Sequence, residues 1–231
     1  MTDLTFKRWL GPLGLLAAVL IFLGLGPLGG NQPGENASGV SVVHYINTHT
    51  AQAWASIYVA AAGLALLTVF FVTVYGVLRT TNQKVLPNSF FAAMLIFITS
   101  FVASGSLEVI TITASHSHEY AVAHVANFSS DNAELGMVVG LAMLTLIAAL
   151  AILTNLDRLG LPKALGWYSL LVAVVSCLGP VGGFAFVFGL PIWVIVTGFV
   201  ISTKTRRGTL GSSDDGGAAA VAAPPRQTVA A

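Results

Sequence analysis

The chain has 231 residues, of which 55% are hydrophobic and 8% charged, with a mean hydropathy of +0.84 and a formal net charge of +1. A soluble domain carries roughly 25% charged residues to wet its surface, so most of this surface must face lipid. The balanced charge, with no clustered basic face, excludes nucleic acid as a partner, and the lone Cys177, expected buried or lipid-facing, excludes a disulfide framework.

A hydrocarbon core about 30 Å thick requires roughly 20 apolar residues of helix. Residues 9–28 form the first such run, preceded by Lys7 and Arg8 and followed by Gly29, Gly30 and Pro33. The run exceeds the roughly 7–15 apolar residues of a secretory signal and no small-x-small cleavage site follows, so it reads as a retained span. A second span covers 51–78 and stops at Arg79, long enough to tilt or to project beyond the bilayer. The third covers 88–112, after Pro87. The fourth is predicted over 132–156, with Asp131 and Glu134 spaced as a capping box that satisfies the first free amides. The fifth covers 162–178, with Pro162 suited to a first helical turn. Gly179-Pro180-Val181-Gly182-Gly183 then makes a tight reversal, and the sixth span, 184–202, should kink at Pro191. Residues 204–231 are rich in Gly, Ala, Ser and Pro and are expected to form a disordered cytoplasmic tail. The expected architecture is therefore an all-α polytopic bundle over residues 1–203.

With six spans, all ten Lys and Arg fall at the N-terminus, in the 2–3 and 4–5 connections and in the tail, and none falls in the other three connections. Positively charged loops stay cytoplasmic during insertion, so both termini are expected inside. Trp9, Trp167, Trp193, Tyr45 and Tyr168 lie mostly near span ends and are expected to anchor the helices at the interface.

That topology puts every histidine on the outward side: His44 and His49 before the second span, His116, His118 and His124 after the third. His116, His118 and His124, with Glu119 among them and His49 at the top of the second span, supply ligand types that zinc or copper accepts. If that segment is helical, His116, Tyr120 and His124 share a face. The spacing is not the His-Glu-x-x-His of zincins, and a haem would need two histidines on facing helices. Histidines there would equally serve as pH sensors or as plain polar residues at an interface. Glu108, near the outer end of the third span, is an ionisable group within an apolar run, and burying one in lipid is costly. Glu108, Glu119 and Glu134 are thus the candidate ligand or proton site. Gly136 and Gly140 carry the small-xxx-small spacing that lets membrane helices approach closely, either within the chain or in a homo-oligomer or membrane partnership.

Absent signals narrow the field. No lysine lies in the interior of a span, Lys163 standing at the very start of the fifth, to form a retinal Schiff base, and there is no Gly-x-Ser-x-Gly elbow, phosphate loop or pair of intramembrane aspartates. The two halves do not repeat with matching broken helices, as those of many secondary transporters do.

Three segments carry a likeness to known sequences. They are Val43-His44-Tyr45 through Leu78-Arg79, Asn127-Phe128-Ser129-Ser130-Asp131-Asn132, and Leu161-Pro162-Lys163-Ala164-Leu165-Gly166-Trp167 with Leu178-Gly179-Pro180-Val181-Gly182 and Leu190-Pro191-Ile192-Trp193. Over about residues 9–203 the chain resembles an uncharacterised family of bacterial multi-pass membrane proteins bearing a domain of unknown function. The resemblance implies six helices in a bacterial inner membrane and no assigned activity. The expectation is a non-enzymatic membrane protein that binds or transports a small molecule or serves in assembly, with no cofactor. The alternatives are a metal- or haem-binding protein or enzyme built on the outer histidines, and a proton-coupled transporter centred on Glu108.

Overall fold

The computed structural model describes residues 3–29, 33–34, 36–81, 83–178 and 182–207, and among them it is all-helical. Helix α1 (Asp3–Leu23) runs into a π-helical turn, Gly24–Leu28. A short helix α2 (Gly39–Thr48), N-capped by Ser38, meets α3 (Thr50–Leu78) at a single bent residue, His49. Helices α4 (Val85–His116) and α5 (Tyr120–Thr154) follow, then a single turn α6 (Leu156–Leu159) and α7 (Lys163–Ser176). The last segment begins as α8 (Gly182–Phe184), passes through a second π-helical turn (Ala185–Gly189) and ends as α9 (Leu190–Arg206). The reversal at 179–181 and the tail from 208 onward lie outside the described residues.

Among the described residues, five helices are long and apolar enough to cross a membrane: Lys7–Leu28, Thr50–Leu78, Val85–His116, Tyr120–Thr154 and Ala185–Arg206. The remaining expected span corresponds to α7, whose 14 residues rise about 21 Å at 1.5 Å per residue. The first and last helices lie side by side and antiparallel: Leu10 touches the position of Gly198, and Ser202 Oγ donates to the Arg8 carbonyl. Residues 8 and 202 therefore share one end of the bundle.

Three sequence expectations need correction. The fourth helix starts at Tyr120, not near residue 132, so Asp131 and Glu134 are interior helical residues rather than a capping box. The cause is a small-residue stripe that the polar composition conceals: Ala123, Ala126, Asn127 and Ser130 recur at helical spacing and are all buried. Trp193 is not an interfacial anchor. It is 1% exposed, packs edge-on to Phe70, and donates its indole N–H to Ser169 Oγ at 2.7 Å. Trp9 and Trp167, by contrast, are exposed. Finally, His116, Tyr120 and His124 do not share a helical face, because α4 ends at His116 and α5 begins afresh at Tyr120.

That break is a helix stop of defined geometry. His118 N–H bonds the Ser115 carbonyl and Glu119 N–H bonds the Ala114 carbonyl, the two bonds of a Schellman motif, with His118 at φ 56° in the place glycine usually holds. The main core joins α1, α3, α4, α5, α7 and α9 around Phe70, Phe71, Phe97 and Trp193. A second, smaller core lies where α2 lies on the far ends of α4 and α5, built from Val42, Val43, Ile46, Ile112, Ala114 and Ala123. Helices of 32 and 35 residues rise about 48 and 52 Å, well beyond a 30 Å core. Their tight hairpin gives α2 a platform outside the main core.

Candidate functional site

Packing of α4 against α5 sets the register of the site. Gly140 lies so close to α4 that a Cβ there would stand 2.8 Å from Phe97 Cα, and one at Gly136 would stand 3.0 Å from Ser100 Cβ. The small-xxx-small pair is thus taken up by a contact within the chain. Further along, Ser104 and Ser130 face each other with hydroxyls 3.1 Å apart, both buried. One turn beyond Ser104 on α4 comes Glu108, about 12 Å short of the helix end at His116, half-buried and bordering cavities lined also by α3, α5 and the π turn Gly24–Leu28.

A cavity of about 400 Å³ opens beside it, lined by Glu108, Asp131 and Glu134 together with Ser56, Leu25, Gly29, Pro33, Gly34, Phe186 and Val187. Two of the three candidate carboxylates, Glu108 and Glu134, are therefore brought together. The third, Glu119, is exposed at the start of α5 and borders a different depression, with Val109, Thr113 and Val122. Asp131 belongs to the site and was missed as a site residue. Once α5 is known to begin at Tyr120, the spacing of Asp131 and Glu134 puts both on one helix face.

Both π-helical turns reach this cavity, one through Leu25 and the other through Phe186 and Val187. Each lies at a proline, Pro27 within the first turn and Pro191 just after the second. Proline has no N–H to donate, so the helical ladder must rearrange around it, and π turns recur at functional sites. Side chains of α3 bond carbonyls of the first turn: Ser56 Oγ donates to Gly24 O at 2.8 Å and Gln52 Nε2 to Pro27 O at 3.3 Å. The expected kink at Pro191 takes the form of this π turn.

The rim is held by the projecting part of α5. Asn127 Nδ2 donates to the Pro33 carbonyl at 3.2 Å, and His124 Nδ1 lies 2.9 Å from the Ala37 carbonyl. A carbonyl only accepts, so His124 carries its proton on Nδ1 in this contact. These two bonds hold Pro33 and Ala37 against α5, and Pro33 lines the cavity.

The other candidate histidines have separate local partners. His49 stacks on Tyr45 with ring centres 4.4 Å apart, and its Nδ1 lies 3.0 Å from the Tyr45 carbonyl. His116 Nε2 meets Thr50 Oγ1 at 3.2 Å, and His118 makes the turn. Among the described residues, no group of three or more His, Cys, Asp or Glu side chains is arranged to hold a metal ion. Cys177, at the end of α7, is exposed. No family model matches the chain, and neither a curated protein nor a solved structure is significantly similar to it.

Proposed function

We propose that the chain is a six-span protein of a bacterial inner membrane, both termini cytoplasmic, that binds and passes a small cationic molecule through the cavity at Glu108. One observation carries the reading: a cavity of about 400 Å³ among apolar helices whose wall, among the described residues, includes Glu108, Asp131 and Glu134 and no lysine, arginine or histidine. Carboxylates on apolar, membrane-crossing helices are costly to keep unless a cation, a proton or water meets them. A cation arriving there offsets the mutual repulsion of the carboxylates and a departing one restores it, which suits exchange against protons. The two π-helical turns that reach the cavity support the same reading, since such turns recur at functional sites.

The topology rests on parity. Antiparallel neighbours at α1 and α9, with Arg8 beside Ser202, support an even number of crossings, and beside the five long helices we read α7 as the sixth. A 14-residue helix is short for the task, and local thinning of the bilayer accommodates such a span at modest cost. The confinement of the cations to alternate connections supports termini inside, and the bacterial location rests on the family resemblance. In a Cys177→Ser background, Val40→Cys should react with an impermeant maleimide on intact cells and Arg207→Cys only after permeabilisation. The reverse pattern would overturn the orientation.

The function is tested by uptake of radiolabelled methylammonium into proteoliposomes under an imposed pH gradient. The native chain should accumulate it with a dependence on the gradient, and Glu108→Gln should abolish that dependence. Uptake indistinguishable between the two, or absent from both, would remove the proposal.

A further inference from the structure

Glu108 also borders a second cavity, a groove of about 260 Å³ between α3 and α4. The groove shares both Glu108 and Leu25 with the carboxylate cavity, so the two volumes meet at those side chains. Its lining is otherwise apolar in effect. The hydroxyls it contains are already engaged, Ser104 with Ser130 and Ser106 with the Val102 carbonyl of its own helix. Ala61, Val102 and Ser106 on its flanks are exposed, so the groove opens sideways onto the surface that lipid covers. It exists partly because Gly105 has no side chain: a Cβ at that position would meet nothing within 4 Å. Glycine in the middle of a helix is destabilising relative to alanine, and Gly105 lines the groove.

We infer that the ligand is a lipophilic amine, its ammonium group held among Glu108, Asp131 and Glu134 and its alkyl or aryl body lying in the α3–α4 groove. The inference rests on the reading of the carboxylate cavity as a cation site and adds the chemistry of the rest of the molecule. Charge decides among amphiphiles. A neutral lipid chain fills the groove but leaves Glu108 facing hydrocarbon, which is costly. An anionic amphiphile meets three carboxylates of its own sign. A protonated amine supplies the opposite charge and N–H donors where the groove ends, and carboxylates accept both. Together the two volumes fall within the roughly 300–1,000 Å³ of small-molecule sites. Sideways access suits a ligand that first dissolves in the bilayer.

The test uses the full chain in lipid nanodiscs with radiolabelled dodecylamine, 1-dodecanol as the chain without the charge, methylammonium as the charge without the chain, and empty nanodiscs as the blank. Dodecylamine should bind saturably above the blank, with dodecanol and methylammonium at least tenfold weaker as competitors. Gly105→Leu, at a position where a Cβ meets nothing within 4 Å, should weaken dodecylamine tenfold or more while leaving direct methylammonium binding unchanged. Ala61→Leu should do the same from the opposite wall. Glu108→Gln should weaken both amines. Equal competition by dodecanol, binding no greater than the blank, or full dodecylamine affinity in both Gly105→Leu and Ala61→Leu would overturn the inference. If those two variants bind normally while Glu108→Gln still weakens methylammonium, the groove assignment alone falls. If Glu108→Gln changes neither ligand, the cation site falls with it.

Discussion

The Ser104–Ser130 pair measures how firmly α4 and α5 hold the wall of the cavity. Their hydroxyls lie 3.1 Å apart, and each also reaches the other residue's carbonyl, at 3.5 Å from Ser104 and 3.3 Å from Ser130. Both side chains are buried. Serine and alanine differ by one oxygen, so replacement removes the hydrogen bond with little change in packing. After Ser104→Ala, Ser130 Oγ retains the residue-104 carbonyl as an acceptor, and the converse holds for Ser130→Ala. Hydrogen bonds between membrane helices average about 0.6 kcal/mol and reach about 1.7, so each single variant should lose about 0.5–1 kcal/mol. The double variant loses the hydroxyl pair only once. The two single losses should therefore exceed the double loss by about 0.6–1 kcal/mol. Reversible unfolding in mixed micelles, titrated with SDS and followed by far-UV circular dichroism, resolves such a difference when the slopes agree. Additivity to within about 0.3 kcal/mol, the tolerance expected of independent sites, would refute the cross-helix pairing.

Other outcomes follow from close contacts elsewhere. Gly140→Ala forces a Cβ to within 2.8 Å of Phe97 Cα and should cost about 1–3 kcal/mol by overpacking. Gly105→Ala meets nothing within 4 Å and should gain about 0.5–1 kcal/mol; thermal melting of both in detergent would expose a reversed order. Trp193→Phe removes the indole donor to Ser169 and leaves a void beside Phe70, for a loss of about 1–3 kcal/mol in the same unfolding assay. His118→Gly should gain about 0.5–1 kcal/mol, since a left-handed non-glycine residue carries a penalty of about 1–2 kcal/mol partly offset by glycine's backbone entropy. A loss on that substitution would indicate a role for the imidazole beyond the turn.

The membrane class and the long apolar helices were legible because hydrophobic runs of twenty or more residues admit few other structures. Boundaries were less so. Tyr120 to Ser130 reads as an outer loop because it holds His124, Asn127 and Ser130, yet Asn127 and Ser130 are buried against neighbouring helices as part of a small-residue stripe. Trp193 reads as an interfacial aromatic by residue type, yet it falls at the middle of the 184–202 span, where its fit against Ser169 seats it in the core. Glu108 and Glu134 were identifiable one at a time as ionisable groups in apolar runs. Their convergence with Asp131 depends on the α4–α5 register, fixed by Phe97 against Gly140 and Ser104 against Ser130. No local pattern in the sequence encodes a contact between positions 26 residues apart. The histidines misled for a related reason: proximity in sequence suggested a cluster, whereas a helix stop at Ser117 and His118 sends them to separate contacts.

The pairing of α1 with α9 also governs the order in which the molecule is made. Ser202 and Arg8 are 194 residues apart in the chain, so the groove that receives Gly198 stands open until the last span emerges. At roughly 5–20 residues per second of synthesis, that interval is on the order of 10–40 s. Throughout it, the face of α1 bearing Leu10 and Gly14 has only α3 and lipid, or a membrane chaperone, as company. The seam between first and last helices is thus the final joint to close, and a chain shortened before α9 would leave α1 permanently waiting.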